Sequence, residues 1–92
     1  MIKLTIIIPV YNEIKTIEKL INKTLKLNIK KQIIVVDDGS SDGTELVLQK
    51  LKKKIDKIVT HKKNIGKGAA IKSGQKFVAG EYTAIQDADL EY

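Results

Sequence analysis

Three groups of acidic residues and one lysine between two glycines are the parts of this 92-residue sequence that could do chemistry. The acids are Glu13, Asp37 and Asp38, and Asp87 and Asp89, and the lysine is Lys67, between Gly66 and Gly68. Carboxylates are the ligands that hard divalent cations such as Mg²⁺ or Mn²⁺ prefer, and Mg²⁺ usually shares its coordination with substrate phosphates. The set therefore indicates a site for a charged ligand held through a divalent cation, and a nucleotide diphosphate fits best.

The sharpest of these motifs is Asp87-x-Asp89. On an extended segment, residues two apart point to the same side, so both carboxylates can face one cation. A lone D-x-D occurs often by chance, but at the end of a parallel strand, beside two other acidic groups, it predicts a metal site. Ligands for a softer metal are scarce, because the chain has no cysteine and only His61, which is expected to be an exposed loop histidine.

Gly66-Lys67-Gly68 predicts a phosphate cradle, in which backbone N–H groups at a helix N-terminus lie beside a lysine charge. The spacing is not that of a Walker loop, and the segment follows the third predicted strand, not the first, so it is not a dinucleotide fingerprint either. The alternative is that the two glycines only permit a tight loop and close helix packing.

Alternatives also stay open for the residues that follow the first two predicted strands. Tyr11 could stack on a base, and Glu13 could accept a hydrogen bond from a base or ribose. Glu13 could equally be an acid favoured by the dipole at a helix N-terminus. Asp37, and less so Asp38, could serve only to cap a turn.

Apolar, β-branched runs and amphipathic segments must position these side chains. The run 33–36 (IIVV) has no polar alternation, which is typical of a strand covered by helices on both faces. The sequence predicts strands at 3–9, 33–36, 57–61 and 82–86 and helices at 14–25, 45–55 and 69–79, with Leu46, Val47, Leu51 and Ile55 as the apolar positions of the second helix. Pro9 is expected to end the first strand, Asp42 with Glu45 to form a capping box, and Gly80 to end the third helix.

The order β-α-β-α-β-α-β predicts right-handed crossovers and a parallel sheet in one Rossmann-like, three-layer α/β domain over residues 1–92. Strand order 3-2-1-4 is the natural solution, because it reverses direction between strands one and four. The three acidic groups would then gather at this switch point, where open α/β sheets bind their ligands.

Composition limits the other classes of function. The net charge is +6 and all seventeen basic residues are lysines, whereas bidentate recognition of nucleic acid favours arginine and base stacking needs more than three Tyr and one Phe. A solvated face close to lipid headgroups is therefore favoured over nucleic-acid binding. The lack of cysteine excludes disulfides and zinc thiolates and fits the cytoplasm, and the first apolar run is too short for a signal peptide or membrane span.

Two further classes fit the motifs less well. A small basic nucleic-acid-binding module would explain the charge but would leave every acidic group unexplained. A nucleotidyltransferase would also use acids at strand ends, but it would require a glycine-rich loop near the first strand, where this sequence has none.

Read together, four motifs resemble the family 2 glycosyltransferases of GT-A fold, and more narrowly the dolichol-phosphate mannosyltransferase and polyprenyl-phosphate glycosyltransferase group. They are PVYNE at 9–13, VDDGSSDGT at 36–44, NxGKGxA at 64–70 and QDADLEY at 86–92. The resemblance implies inverting transfer of a hexose from a GDP- or UDP-sugar to a lipid phosphate, assisted by Mg²⁺ or Mn²⁺. The predicted location is the cytoplasm, at the cytoplasmic face of a membrane, where the exposed lysines would meet lipid headgroups.

Site residues follow from this resemblance position by position. Those that would hold the nucleoside are Pro9, Tyr11, Glu13, Val36 and Asp38. Asp87 and Ala88 would contact the nucleotide-sugar, and Lys67 would contact a phosphate or the sugar. Asp89 would be the principal metal ligand, so that Asp87 and Asp89 are the predicted catalytic and metal-binding pair.

Family members continue after the D-x-D motif with a second half that holds the acceptor surface. The sequence accordingly matches a donor-binding half, and the alternative is a non-catalytic nucleotide-binding or oligomer-forming remnant. A fourth strand without a further neighbour would leave an unpaired edge, which predicts self-association into a homo-oligomer.

Overall fold

Residues 1–88 are described by the computed structural model, and within them four strands alternate with three α-helices. The elements are β1 Leu4–Val10, α1 Ile17–Leu25, β2 Lys31–Asp37, α2 Thr44–Lys50, β3 Lys57–Thr60, α3 Lys67–Gln75 and β4 Tyr82–Ile85, with a 3₁₀ turn Lys52–Lys54 after α2. All strand pairs are parallel and the order is β3-β2-β1-β4. The predicted fold class and strand order are confirmed.

The sheet is buried on both faces because β1 and β2 are apolar at nearly every position. Ile6, Ile8 and Val35 face one cluster with α1 and α2, and Ile7 and Ile34 face a second cluster with α3. All five side chains are at most 4% exposed, and each such burial contributes roughly 1.5–3 kcal/mol. Two helices on one face and one on the other give the predicted three layers.

Pro9 does not end β1, which continues to Val10. The Ile7 carbonyl accepts a hydrogen bond from Gln86 N, so the backbone of Ile7, and by alternation that of Pro9, is directed toward β4. Since β4 ends at Ile85, opposite Ile7, Pro9 lies beyond its partner strand and its missing N–H costs no ladder bond. Val10 faces β2 instead, and its carbonyl accepts from Asp38 N at 2.8 Å.

The second helix differs from its predicted form. It begins at Thr44, so the N-cap position is occupied by Gly43, which has a φ of 99°, and the predicted capping box of Asp42 and Glu45 is wrong. The helix also ends five residues early, at Lys50. Of the four predicted apolar positions, Val47, Leu51 and Ile55 pack in the core cluster as expected, but Leu46 is 70% exposed. Leu48, which was not predicted, is buried in its place.

The other two helices are shorter or shifted. The segment 14–16 is a turn, so α1 begins at Ile17. The third helix begins at Lys67, directly after the glycine of the loop, and ends at Gln75, so Gly80 is not its C-terminal residue. Gly80 has another role, because a Cβ there would lie 2.6 Å from the Thr5 backbone nitrogen, and only glycine lets the chain pass this close to β1.

The edge of the sheet at β4 is open within the described residues. All four residues of Tyr82–Ile85 are exposed, and β1 is their one partner strand in residues 1–88. An open edge can pair with another chain, so the homo-oligomer inferred from the sequence stays a prediction.

Lysines cover much of the helical surface, and Lys54 Nζ donates to Asn22 Oδ1 to join the 3₁₀ turn to α1. None of the helices in residues 1–88 is long and apolar enough to cross a membrane. A contact of the lysine face with lipid headgroups stays a prediction.

Candidate functional site

A cavity of about 470 Å³ opens at the carboxyl ends of the strands, beside the N-terminus of α3. Seven of the residues predicted from the sequence line it: Pro9, Tyr11, Glu13, Asp38, Lys67, Asp87 and Ala88. The remaining wall is formed by Val10, Asn64, Gly66 and Ala70. The volume lies within the range of roughly 300–1,000 Å³ usual for small-molecule sites, so segments far apart in sequence meet around a space that fits a nucleotide.

Of the two remaining predicted site residues, Val36 does not line the cavity. Val36 is fully buried and packs with Ile7, Ile34 and Ala70 under α3, so the structure places it in the core. Asp89, the predicted principal metal ligand, lies outside the described residues.

Asp38 is the most constrained side chain of the cavity, and it is 3% exposed. Its Oδ2 accepts a hydrogen bond from Gly66 N at 2.8 Å, and its Oδ1 accepts from Ile65 N at 3.0 Å and contacts His61 Nδ1 at 2.8 Å. This one carboxylate therefore joins the end of β2 to the loop that precedes α3. No pattern in the sequence indicated that Asp38 would organise that loop.

The same hydrogen bonds determine the ionisation of Asp38. Burial alone would raise the pKa of its carboxyl group, but the bonds from His61, Ile65 N and Gly66 N, with the charge of His61, outweigh burial and lower the pKa below the usual 3.8. The carboxylate is consequently ionised at neutral pH and can only accept hydrogen bonds.

We expect this lowered pKa to appear as a pH dependence of stability. Because Asp38 has a lower pKa in the folded than in the unfolded chain, its contribution is complete above the unfolded value near 3.8 and is lost as pH falls through the folded value. Urea unfolding of the wild type and of Asp38→Asn, measured from about pH 6 to about pH 2, should show the free energies of unfolding converging below 3.8. A difference independent of pH would contradict this expectation.

His61 is not the exposed loop histidine that was expected. Its side chain is 13% exposed and lies between two partners, with Nδ1 at 2.8 Å from Asp38 Oδ1 and Nε2 at 2.8 Å from Ser73 Oγ. A signal for this position exists in the sequence, since His61 follows Val59 by two residues and strand alternation directs both toward α3. Ser73, inside α3, gave no sign of this role.

The loop that carries Tyr11 and Glu13 is held by the loop that follows β2. Asn12 N donates to Ser40 Oγ at 2.9 Å, and Ser41 N donates back to Asn12 Oδ1 at 2.7 Å. Glu13 N donates to Thr44 Oγ1 at 3.1 Å, and Ile14 N donates to Asp42 Oδ2 at 3.2 Å. Asp42 thus holds this loop and the start of α2 together, although it is not an N-cap.

Thr16 connects this loop to the end of the described chain. Its Oγ1 lies 3.1 Å from Glu13 Oε2 and 3.0 Å from the Ala88 carbonyl oxygen. Ala88 is itself 3% exposed and packs into the core cluster under α1. The segment after β4 is therefore anchored where Asp87 enters the cavity wall.

Lys67 and Asp87 form an ion pair across the cavity mouth, and both side chains are more than half exposed. An exposed pair of this kind is weak, worth at most about 1 kcal/mol, so either group can exchange its partner for a ligand. Within residues 1–88 no three His, Cys, Asp or Glu side chains gather as a metal cluster. An accessible carboxylate already facing a cation nevertheless suits a hard divalent ion that takes its other ligands from phosphate.

The glycine-flanked segment contributes less backbone to the cavity than predicted. The N–H groups of Ile65 and Gly66 are both taken by Asp38. What remains for a phosphate is the Lys67 ammonium group and the first turn of α3, whose N–H groups have no partner inside the helix.

Asp37 does not line the cavity. It is 1% exposed, and its Oδ1 accepts from Ser40 N at 3.0 Å across the turn after β2. Its Oδ2 has no hydrogen-bond partner within residues 1–88. The structure favours the turn-capping interpretation for Asp37 and not for its neighbour Asp38.

Comparison with known proteins places the chain among sugar transferases. The profile of the family described as "Glycosyl transferase family 2" matches residues 5–92. Poly-beta-1,6-N-acetyl-D-glucosamine synthase of Staphylococcus aureus is 39% identical over 88 residues, which cover 94% of this chain and 21% of that protein. Undecaprenyl-phosphate 4-deoxy-4-formamido-L-arabinose transferase of Salmonella choleraesuis is 33% identical over 96 residues, covering 97% of this chain and 29% of that protein. The chain therefore spans under a third of either relative.

Solved structures of transferases share the fold. S. aureus TarS in complex with UDP-GlcNAc superposes with a TM-score of 0.86 at 29% identity, over 96% of this chain and 27% of that one. A mannosyltransferase from Pyrobaculum calidifontis in complex with GDP-Man and Mn²⁺ gives a TM-score of 0.87 at 28% identity, over 95% and 27% of the two chains.

Proposed function

Because this chain belongs to glycosyl transferase family 2, we propose that its cavity binds a nucleoside-diphosphate sugar, a GDP- or UDP-hexose, as the donor for glycosyl transfer. The observation that carries the proposal is that seven residues predicted from separate motifs line one cavity of about 470 Å³. Solved relatives in complex with UDP-GlcNAc and with GDP-Man support the choice of ligand class.

The nucleoside would lie against Asp38 and Tyr11. Asp38 is an ionised, acceptor-only group in the cavity wall, so it favours a base that presents N–H donors, as the amide edges of uracil and guanine do. Tyr11 is 46% exposed beside it and offers a ring for stacking. Glu13, held by Thr44, is placed to accept a hydrogen bond from the ribose or base. Val36 would support this end only through the core beneath it.

The diphosphate would lie toward Lys67 and the N-terminus of α3. The lysine charge and the positive end of the helix dipole both favour an anion there. Asp87, together with Asp89, would hold the Mg²⁺ or Mn²⁺ ion. When bound, that cation neutralises the charge that develops on the leaving diphosphate. The Lys67–Asp87 pair would separate as the ligand enters, the lysine moving to phosphate and the carboxylate to the cation.

The acceptor we propose is a polyprenyl or dolichyl phosphate, reached by inverting transfer at the cytoplasmic face of a membrane. Support comes from the relative named undecaprenyl-phosphate 4-deoxy-4-formamido-L-arabinose transferase, which is 33% identical to this chain. The exposed lysines also suit anionic headgroups.

Calorimetric titration with UDP and GDP, each with and without Mn²⁺ and with ADP and CDP as comparison ligands, tests the proposal. We expect the wild type to bind UDP or GDP with Mn²⁺ and to bind ADP and CDP at least about tenfold more weakly. Adenine and cytosine present an exocyclic amino group but lack the ring N–H of uracil and guanine, which is the donor proposed for Asp38. Asp89→Ala should abolish the part of the binding that depends on Mn²⁺. Glu81→Ala should leave that part unchanged, because Glu81 is paired with Lys3 away from the cavity.

Each outcome decides one part of the proposal. Absence of binding under every condition would reject nucleotide binding by this chain and favour the remnant hypothesis. Binding that is equally tight without Mn²⁺ and in Asp89→Ala would reject the metal site and keep the nucleotide site.

A further inference from the structure

We propose that His61 is a positioning residue of the donor site, which holds the Asp38 carboxylate for the base and is itself held by Ser73 of α3. The inference rests on the proposed function, since it assigns to His61 a part in binding the same donor. It concerns a residue that does not line the cavity and that acts only through Asp38.

The hydrogen bonds of Asp38 give the first step. A carboxylate oxygen has room for about two hydrogen bonds. Oδ1 is filled by Ile65 N at 3.0 Å and His61 Nδ1 at 2.8 Å, whereas Oδ2 holds one bond, from Gly66 N at 2.8 Å. With His61 in place, Oδ2 is the oxygen that keeps a free position for a ligand donor. Loss of His61 would open a second position on Oδ1, away from the one that faces the base.

The protonation state of the imidazole follows from its partners. Ionised Asp38 can only accept, so Nδ1 of His61 must carry a hydrogen. In the neutral ring Nε2 is then an acceptor, and the Ser73 hydroxyl, 2.8 Å away, donates to it. In the charged ring both nitrogens donate, and the Ser73 oxygen accepts. The hydroxyl serves either state by rotation, so the ring keeps its orientation toward Asp38 in both.

Ser73 and the backbone of His61 complete the support. His61 N donates to the Asp37 carbonyl at 2.8 Å, which attaches the residue to the end of β2. Ser73 lies on α3, whose first turn contains Lys67 and whose Ala70 lines the cavity. The chain Asp38–His61–Ser73 thus connects the base end of the site to the helix at its phosphate end.

Asp, His and Ser in this order also occur in serine hydrolases, but the arrangement here does not fit a nucleophile. A reacting serine must be reached by its substrate, whereas Ser73 lies within α3 and outside the cavity wall. In a hydrolytic triad the acid is buried behind the histidine, whereas Asp38 faces the cavity. Positioning of Asp38 is the role that this geometry supports.

Two substitutions separate positioning from packing. The amide nitrogen of His61→Asn can take the place of Nδ1 and keep the bond to Asp38, and that of His61→Gln can take the place of Nε2 and keep only the bond to Ser73. Both lack the ring, so they share its packing loss. We expect His61→Asn to bind UDP or GDP within about threefold of the wild type and His61→Gln to bind at least about tenfold more weakly, the size of one lost bond to a charged group. Equal weakening by both would overturn the proposal.

A nucleotide-free measurement distinguishes failure of this inference from failure of the proposed function. His61 is the single histidine of the chain, so ¹⁵N NMR of the imidazole reports it without ambiguity. We expect Nδ1 to be protonated in the wild type. In Asp38→Asn the ring should no longer be held in that state. In Asp42→Asn it should be held as in the wild type, because the Asp42 carboxylate does not contact His61. A ring protonated on Nε2 alone would overturn the inference, even if the nucleotide binds. Protonated Nδ1 in a chain that binds neither nucleotide would reject the proposed function and, with it, the donor role of His61.

Discussion

Asp38→Asn should abolish detectable nucleotide binding and destabilise the fold by about 2–4 kcal/mol. The carboxylate receives two backbone N–H groups and the His61 ring on its two oxygens. Asparagine has the same shape but only one oxygen, so its NH₂ group must face either Gly66 N or the two donors at Oδ1. At a position 3% exposed, a donor facing a donor has no water to relieve it.

Urea unfolding at pH 7 and calorimetry with UDP and GDP measure the two parts of this result. The matched control is Asp87→Asn, which also removes a carboxylate from the cavity. The Asp87 carboxylate is more than half exposed, and Lys67 is its one ion-pair partner within residues 1–88. We expect the control to weaken binding with Mn²⁺ while leaving the free energy of unfolding within about 0.5 kcal/mol of the wild type. If Asp38→Asn were as stable as the control, Asp38 would not organise the loop that precedes α3.

Gly39→Ala should be the most destabilising single-methyl change in the chain, at more than about 3 kcal/mol. Gly39 follows Asp38 with φ at 75°, in the left-handed region that side chains rarely adopt. Its Cβ would also meet the backbone of Lys63 and lie 2.6 Å from the Asn64 nitrogen, and backbone atoms cannot move aside as a flexible side chain can. The displaced segment carries Asn64 into the cavity wall, so we expect nucleotide affinity to fall as well.

Gly68→Ala is the matched control for this second prediction. A Cβ at Gly68 meets nothing within 4 Å, its φ is not positive, and it lies in the first turn of α3. Alanine there should leave stability unchanged or raise it by up to about 1 kcal/mol, because alanine is the better helix former. Thermal unfolding compares the two variants directly. Similar melting temperatures for both would mean that the loop before α3 moves easily away from Gly39.

Element types and their order could be predicted from local pattern alone. The apolar run at the centre of β2 and the alternation of strands and helices predicted a parallel sheet. The order 3-2-1-4 was the natural solution for that sheet, and it is the observed one. The ends of elements could not be predicted in this way. Pro9 is tolerated inside β1 because β4 is shorter than β1. The N-cap position of α2 is Gly43, while the Asp42 carboxylate accepts from both Thr44 N and Ile14 N. Both facts depend on neighbours distant in sequence.

Local pattern was sufficient to predict the fold class and seven of the residues that line the cavity. Parallel strands bring their carboxyl ends to one edge, so residues that follow different strands, such as Tyr11, Asp38 and Asp87, meet there whatever the details of packing. The tertiary structure alone decided what each side chain does at that edge. Asp37 turns inward and caps a turn while Asp38 faces the cavity, and His61 reaches both Asp38 and Ser73. A hydrogen bond requires atoms within about 3 Å of one another. Whether two atoms come this close depends on how β2, β3 and α3 pack, which no local pattern in the chain specifies.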